Sequence, residues 1–222
     1  MNKITLIGTM HEEIGKYNEE SLYNILEAIN PDVIFEETSL YTATLIYKFG
    51  IKPEFPEQNV IQRYITNHNT ENIPIDTLEY PKEFKKWERN IFEDLMQKNE
   101  NNKELHELLK FRRNYISENG IEGMNTVYYD NLTIKVYQLK KDYLYNYREH
   151  LIEDYNKYHD FIIEQREVEM VNNISKYHEQ YKNNFNAVFT IGADHRISIV
   201  KKLQGIKDIE YNFYYGNKSN YT

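Results

Sequence analysis

Apolar and polar positions follow a strand, helix and strand pattern over the first part of the chain. The run 4–7 favours β-structure and stops at Gly8, and 32–35 is a second such run. Between them, apolar residues recur over 22–29 with the i, i+3, i+4, i+7 spacing of one helix face, and Asn18 can cap that helix. This unit predicts two parallel strands joined by a helical crossover.

Three further strands are predicted later in the chain. Pro74 lies inside the run 73–76, which indicates an edge position or a very short pairing, because proline cannot donate to the ladder. The apolar run 187–191 predicts a buried strand, and 209–214 alternates well enough for a last one. A short helix is expected between them, from 197 to 203.

The middle of the chain is predicted to be helical. Apolar stripes at helical spacing cover 84–95 and 105–116, and no glycine or proline interrupts 124–191, which favours a long helix or a helical hairpin. The order of elements predicts a single α/β domain over 1–222. Its central, mostly parallel sheet is formed by both ends of the chain, with a large helical insertion at 82–183.

Composition narrows the class of protein. Hydrophobic residues make up 40% and charged residues 28%, so the chain can bury a core. Its net charge of -8 argues against a nucleic-acid partner, which would need basic surface to neutralise phosphates. The absence of cysteine excludes thiol nucleophiles and Cys-ligated zinc. We find neither a membrane span nor a signal-peptide pattern, and we expect a cytoplasmic protein without a membrane partner.

Two segments share one local pattern, in which a strand is followed by glycine, two residues and histidine. Gly8 leads to His11 after the first strand, and Gly192 leads to His195 near the other end of the chain. Because open α/β sheets bind ligands beyond the carboxyl ends of their strands, both imidazoles are expected at that edge. There they would serve as general bases or metal ligands, although each could also be an ordinary loop residue.

A third strand end supplies carboxylates. Glu36 and Glu37 follow the run 32–35 directly, and only one should reach the site because adjacent strand residues face opposite sides. Together with His11 and His195, that glutamate could hold a divalent cation and leave a position for an activated water. Without metal, the same residues could activate water by general base catalysis. The two glutamates could instead cap a following loop.

Arg166 is the remaining candidate for chemistry. It shares an apolar helix stripe with Ile162, Met170 and Ile174, so its guanidinium is expected to point inward. An inward guanidinium needs an anionic partner, which one of the two strand-end glutamates or a developing oxyanion would provide. The alternative is that Arg166 extends to the rim and pairs with Glu169.

These motifs resemble those of the TraB/PrgY, GumN and Tiki proteins, which form a wider group with ChaN-like and erythromycin-esterase-like proteins. The matching segments are Gly8-Thr9-Met10-His11, Pro31 to Glu37, the Arg166-Glu167 pair and Gly192-Ala193-Asp194-His195. In the family pattern the glutamate falls six residues after the proline, which favours Glu37 over Glu36. An aspartate is common at the third strand end, where this chain has Asp76.

The resemblance implies an α/β fold with a helical insertion and, for the Tiki branch, metal-dependent peptidase activity. Other branches are esterase-like, porphyrin-binding or uncharacterised. Two features depart from the family. Ser198 stands where a glycine is frequent, and the membrane anchors of several relatives have no counterpart in this sequence.

We therefore predict a hydrolase that cleaves a peptide or another small acyl substrate, using a divalent manganese, cobalt or zinc ion. The predicted catalytic residues are His11, Glu37 or Glu36, His195 and Arg166. Of these, the predicted metal ligands are His11, Glu37 and His195. The predicted substrate contacts are Gly8, Gly192, Asp76 and Asp194. The alternatives are a metal-free esterase-like hydrolase and a non-enzymatic binder of a tetrapyrrole-like ligand or a protein. The helical region could also support a homodimer.

Overall fold

The computed structural model describes residues 1–76, 79–181 and 184–214, and it has an α/β fold with a parallel sheet at its centre. The strands are β1 (Asn2–Thr9), β2 (Val33–Ser39), β3 (Glu71–Asp76), β4 (Asn186–Gly192) and β5 (Ile209–Phe213). Within the described residues they form one sheet in the order β3-β2-β4-β1-β5, and every pair of neighbours is parallel. Both ends of the chain therefore build the sheet, which confirms the predicted fold class.

Helices connect the strands and cover both faces of the sheet. They are α1 (Glu19–Ile29), α2 (Leu40–Ala43), α3 (Pro56–Asn67), α4 (Phe84–Met96), α5 (Lys103–Met124), α6 (Val127–Tyr147), α7 (Ile152–His159), α8 (Glu167–Gln180) and α9 (Arg196–Leu203). Two π-helical segments, Thr44–Lys48 and Asp160–Arg166, follow α2 and α7. Across the described ranges, no helix combines the length and the apolar character that a membrane crossing requires.

The ends of α1 follow from its sequence. The side chain of Asn18 accepts a hydrogen bond from the backbone of Ser21, and the Ser21 side chain bonds back to Asn18, so both orphan amide groups are satisfied. At the other end, Asn30 adopts a left-handed conformation with φ of 47°, which asparagine tolerates better than most residues. The chain then enters β2, as the sequence predicts, although β4 lies between β1 and β2 in the sheet.

Strand β3, which contains Pro74, lies at an edge of the described sheet. Pro74 lies opposite Glu36 of β2, and β3 pairs with β2 alone among the described strands. On the side of β3 that faces away from β2, no described strand pairs with it, so the missing N–H of Pro74 breaks no ladder hydrogen bond there. The predicted edge position is correct.

The sheet separates two hydrophobic clusters. One face packs against α8 and α9, and the other packs against α1, α3 and α5. Strand residues divide between the faces with a period of two: Phe35 belongs to the α8 side and Ile34 to the α3 side. Helices α4 to α7 share a third cluster of their own.

For the run without glycine or proline, the sequence predicts a long helix or a helical hairpin, and the structure excludes the single helix. The run without glycine or proline does not form one helix, because α6 ends at Tyr147 and a short 3₁₀ turn separates it from α7. The Arg148 side chain binds Asp94 of α4 at this break, a long-range contact that no local pattern shows. Residues 77–78 and 215–222 of the predicted domain and residues 182–183 of the predicted insertion lie outside the described residues, and the domain assignment stays a prediction.

Candidate active site

Three neighbouring strands end at the same edge of the sheet. In the β1–β4 pair, Thr9 lies opposite Gly192, so the two Gly-x-x-His loops leave the sheet side by side. Strand β2 flanks β4 on its other side and carries Glu37. The two predicted histidines, together with Glu37 and Arg166, line one cavity of about 860 Å³ between the sheet edge and the helices.

His11 lies at the mouth of this cavity. Its Nδ1 donates to Oε1 of Glu57, and its ring stacks on Phe55 with 4.3 Å between the ring centroids. Pro56 begins α3 and places Glu57 in the first turn of that helix, where a carboxylate is favoured by the helix dipole. The hydrogen bond to Glu57 raises the pKa of His11 above its ordinary value.

His195 is more buried and has a similar partner. Its Nδ1 lies 2.8 Å from Oε1 of Glu167, a fully buried carboxylate that also accepts a 3.1 Å hydrogen bond from Lys202. Burial lowers the pKa of His195, but the hydrogen bond to Glu167 and the charge of Glu37 outweigh burial and raise the pKa overall. Nε2 of His195 lies 3.9 Å from Oε1 of Glu37.

Glu37 is held ionised by its neighbours. Arg166 donates to its Oε1 at 2.7 Å, and the backbone N–H of Gly192 donates to its Oε2. Burial would raise the pKa of Glu37, but the positive charges of His195 and Arg166 outweigh this effect and lower the pKa. Arg166 also donates to both oxygens of Asp76, at 2.8 and 2.9 Å. The predicted inward arginine therefore joins two carboxylates, not Glu169.

Glu36 faces the other side of the sheet and has a different environment. Its carboxylate accepts hydrogen bonds from the Tyr47 hydroxyl and from the Asn72 side chain, which lie 2.7–2.9 Å away. Burial raises the pKa of Glu36 to about 7. It lines an adjoining cavity of about 450 Å³, which His11 and Glu37 also line. The alternation of β2 thus places Glu37, and not Glu36, beside Arg166.

The predicted substrate contacts have different surroundings. Gly192 and Asp194 line the larger cavity, and Asp194 also accepts a hydrogen bond from the buried Arg112. Gly8 is not among the residues that line either cavity, and its substrate contact stays a prediction. Both of its peptide groups bond to the buried Asn125, and a Cβ at this position would lie 3.1 Å from Oδ1 of Asn125, a tight contact that favours glycine. Asp76 anchors Arg166 and lines the smaller cavity.

Sequence reasoning missed several residues that support the site. Glu57 and Asn125 each join a strand-end loop to a helix far away in the chain. The proline and glutamate that begin α3 are a recognisable helix start, but no spacing links Glu57 to His11. Glu167 lies next to Arg166 in the motif that resembles the family pattern, and its contact with His195 could have been suspected from that position.

The donor types of the site suit a divalent ion, but the residues are not drawn together around one. Among residues 1–76, 79–181 and 184–214, no group of three His, Asp or Glu side chains is arranged to hold a metal ion. Each histidine nevertheless has its Nδ1 bonded to a carboxylate, the arrangement that usually orients metal-ligating imidazoles. Two imidazoles and the Glu37 carboxylate are therefore ligand types that suit a divalent metal ion.

Comparisons of the chain with protein-family models, with curated proteins and with solved structures found no match. The resemblance of its motifs to TraB, GumN and Tiki proteins stays a prediction for this reason. Conclusions about function depend on the geometry of the site.

Proposed function

We propose that the protein is a hydrolase that cleaves a peptide or another acyl substrate with an activated water molecule. One observation carries the proposal: His11 and His195 enter one cavity beside Glu37, and each imidazole has its Nδ1 bonded to a carboxylate. Such a carboxylate fixes the tautomer that leaves Nε2 as a base or a metal ligand. The motifs that resemble the Tiki branch favour the same reaction class.

In its metal-free form, the proposed reaction uses the two imidazoles for proton transfer, because both Nε2 atoms are then available. Nε2 of one histidine takes a proton from water while the water oxygen attacks the acyl carbonyl carbon. The other histidine, protonated, gives its proton to the leaving nitrogen or oxygen as the acyl bond breaks. The hydrogen bonds to Glu57 and Glu167 contribute to the raised pKa values of His11 and His195, which favours the protonated imidazole that the general acid step needs.

Arg166 supports this reaction through its charge. It holds Glu37 ionised and oriented, and it places a positive charge close to the position where the oxyanion develops. Its hydrogen bonds to Asp76 keep the guanidinium in one orientation. The charged groups of Arg166, Glu37 and Asp76 are thus held in position before a substrate binds.

We propose that the favoured form of this hydrolysis uses manganese, cobalt or zinc, held by His11, His195 and Glu37, in which case the two Nε2 atoms would be ligands and would not transfer protons. When bound, the ion would lower the pKa of a water molecule and polarise the acyl carbonyl. The 3.9 Å separation between Nε2 of His195 and Oε1 of Glu37 is compatible with two ligands of one ion. Glu37 would then share its oxygens between the ion and Arg166.

Metal analysis combined with a chelator experiment tests both parts of the proposal. The protein is purified without chelator, its metal content is measured, and hydrolysis of peptide and ester substrates is followed before and after chelation. We expect bound metal, loss of activity on chelation, and recovery when manganese, cobalt or zinc is added back. Hydrolysis that persists without metal would favour the metal-free, histidine-activated reaction.

Histidine variants test the assignment of the site itself. We expect His11→Asn and His195→Asn each to lower kcat/KM by at least about 100-fold, since each removes a metal ligand or, in the metal-free form, a proton-transfer group. His150→Asn is the matched control, because His150 is exposed and lies in the short turn between α6 and α7. Full hydrolytic activity in a His11→Asn/His195→Asn double variant would show that the proposed site is wrong.

A further inference from the structure

The smaller cavity beside the proposed active site has a polar floor and an apolar roof. It lies between the end of β2, the π-helical segment 44–48 and the first turn of α3. Its roof includes Leu45, Ile46, Ile51 and Phe55. His11, Glu37 and Arg166 line both this cavity and the larger one, so a ligand here would adjoin the groups proposed for catalysis.

Two adjacent residues that line this cavity carry buried acceptor atoms without a donor. Oε2 of Glu57 and Oε1 of Gln58 have no hydrogen-bond partner among the described residues, and the two residues are only 7% and 6% exposed. Their other polar atoms are engaged: Oε1 of Glu57 binds His11, and Nε2 of Gln58 lies 3.5 Å from the Thr38 hydroxyl. Because buried acceptors in folded proteins are nearly always paired with a donor, this pair indicates a missing donor.

The charge of the cavity specifies what kind of donor fits. Glu36 contributes a second buried carboxylate. Acidic side chains outnumber basic ones in the lining, with Glu36, Glu37, Glu54, Glu57 and Asp76 against His11, Lys52 and Arg166. A cationic donor therefore suits this cavity better than a neutral donor. The oxygens of Glu57 and Gln58 together with a remaining lone pair on Glu36 provide three acceptors, the number of N–H donors in a primary ammonium group. The apolar roof would suit the carbon chain that carries such a group.

We infer that this cavity binds a primary ammonium group of the substrate, next to the acyl bond that is cleaved. This inference rests on the proposed function, because it defines the substrates of that hydrolase as peptides or acyl compounds with a free amino group near the scissile bond. A hydrated Mg²⁺ or Ca²⁺ ion is the alternative occupant. It needs six or more oxygen ligands, which a cavity with an apolar roof supplies less well.

A binding measurement tests the ammonium site without relying on turnover. Leucinamide and N-acetyl-leucinamide are titrated into the chelator-treated protein by calorimetry, and we expect leucinamide to bind at least about tenfold more tightly. Gln58→Leu and Glu36→Gln should each remove most of that difference. Gln62→Leu, on the same helix but outside the cavity lining, is the matched control and should preserve it. Thermal melting confirms that the variants are folded.

Kinetics then separate this inference from the proposed function. We expect a peptide with a free amino terminus to be cleaved with at least about tenfold higher kcat/KM than its N-acetylated form, and Gln58→Leu to reduce that ratio. Equal cleavage and equal binding of free and acetylated compounds would overturn the ammonium site and leave the hydrolase. Selective binding of leucinamide without any hydrolysis would support the ammonium site and overturn the proposed function. Stoichiometric Mg²⁺ or Ca²⁺ binding that Gln58→Leu abolishes would overturn the ammonium assignment.

Discussion

Adjacent residues of β2 illustrate how the fold assigns different chemistry to the same side chain. Glu36 and Glu37 are consecutive carboxylates, and both are removed from bulk water. Glu37 faces His195 and Arg166, whose charges outweigh the effect of burial and lower its pKa, whereas Glu36 has neutral hydrogen-bond donors and a pKa raised to about 7. The period of two along a strand is enough to separate a charged site residue from a proton-binding one.

Glu36→Gln tests this difference through the pH dependence of stability. A raised pKa means that the folded protein holds the Glu36 proton more tightly than the unfolded chain, so stability falls as pH rises from about 4.5 through about 7. The shift corresponds to a loss on the order of 3 kcal/mol at alkaline pH. We expect urea unfolding with chelator present to show Glu36→Gln gaining stability over the wild type by this amount between pH 4.5 and 8. A difference that is constant over this range would contradict the prediction.

Glu167→Gln tests a residue that acts through His195. Loss of the carboxylate at Nδ1 removes a contribution that raises the pKa of His195 and orients its ring. We expect kcat/KM to fall about 10–100-fold and the rising limb of its pH profile to move to lower pH. Glu169→Gln is the matched control, since Glu169 is an exposed acid on the same helix. An unchanged pH profile with lower activity would indicate a structural role only.

Between secondary-structure elements, single polar side chains fix the position of the strand-end loops. Asn125 lies at the junction of α5 and α6, is fully buried, and bonds both peptide groups of Gly8 at the end of β1. The loop that carries His11 starts from this point. A helix junction outside the sheet thus determines where a proposed catalytic loop begins.

Asn125→Ala should therefore destabilise the protein and displace His11. The substitution leaves the buried N–H and C=O groups of Gly8 without partners, which costs about 1–3 kcal/mol for each group. We expect a loss of at least about 2 kcal/mol by urea unfolding, together with a lower kcat at a temperature where the variant is folded. Asn119→Ala on the exposed face of α5 is the control, and an equal loss there would contradict the explanation.

The elements that the sequence predicts are those whose pattern is local. Strands 4–7, 32–35 and 187–191 lie inside β1, β2 and β4 or differ by one residue at an end, because the central strands of a parallel sheet are continuous apolar runs. Helix α3 was missed, although Val60, Ile61 and Tyr64 form its buried stripe after a proline at its start. Its short apolar pattern follows exposed apolar residues such as Ile51, which make the helical period of 3.6 residues hard to recognise in the sequence.

The candidate site was predictable only in part, because only some of its residues belong to a local sequence pattern. Strand ends, and therefore His11, Glu37 and His195, follow from the chain pattern and from the rule that ligands bind beyond the carboxyl ends of parallel strands. The hydrogen-bond partners of these residues do not follow from the chain pattern. Glu57 and Asn125 reach the site through helix packing, which is decided by the complementary shapes of distant surfaces and has no signature in a single sequence.

Over the whole molecule, charged contacts connect the helical region to the sheet. Arg112 of α5 is 7% exposed and donates to Asp194, to the Tyr129 hydroxyl and to Thr133. Asp194 directly precedes His195, so this contact ties the helices that cover the larger cavity to the loop that carries a proposed catalytic group. The helical region therefore has a direct part in positioning the site.

The neighbouring arginines Arg112 and Arg113 allow this connection to be tested with a matched pair. Arg112→Ala removes a buried guanidinium, and we expect a loss of about 3 kcal/mol, the low end for buried ion pairs, because the Asp194 side chain is 47% exposed to water. With His195 less restrained, kcat should fall about tenfold or more, and Arg112→Lys should restore part of it. Arg113→Ala breaks only an exposed pair with Glu12 and should change stability by less than about 1 kcal/mol. Equal effects of the two alanine variants would show that the helices and the catalytic loop are not coupled through Arg112.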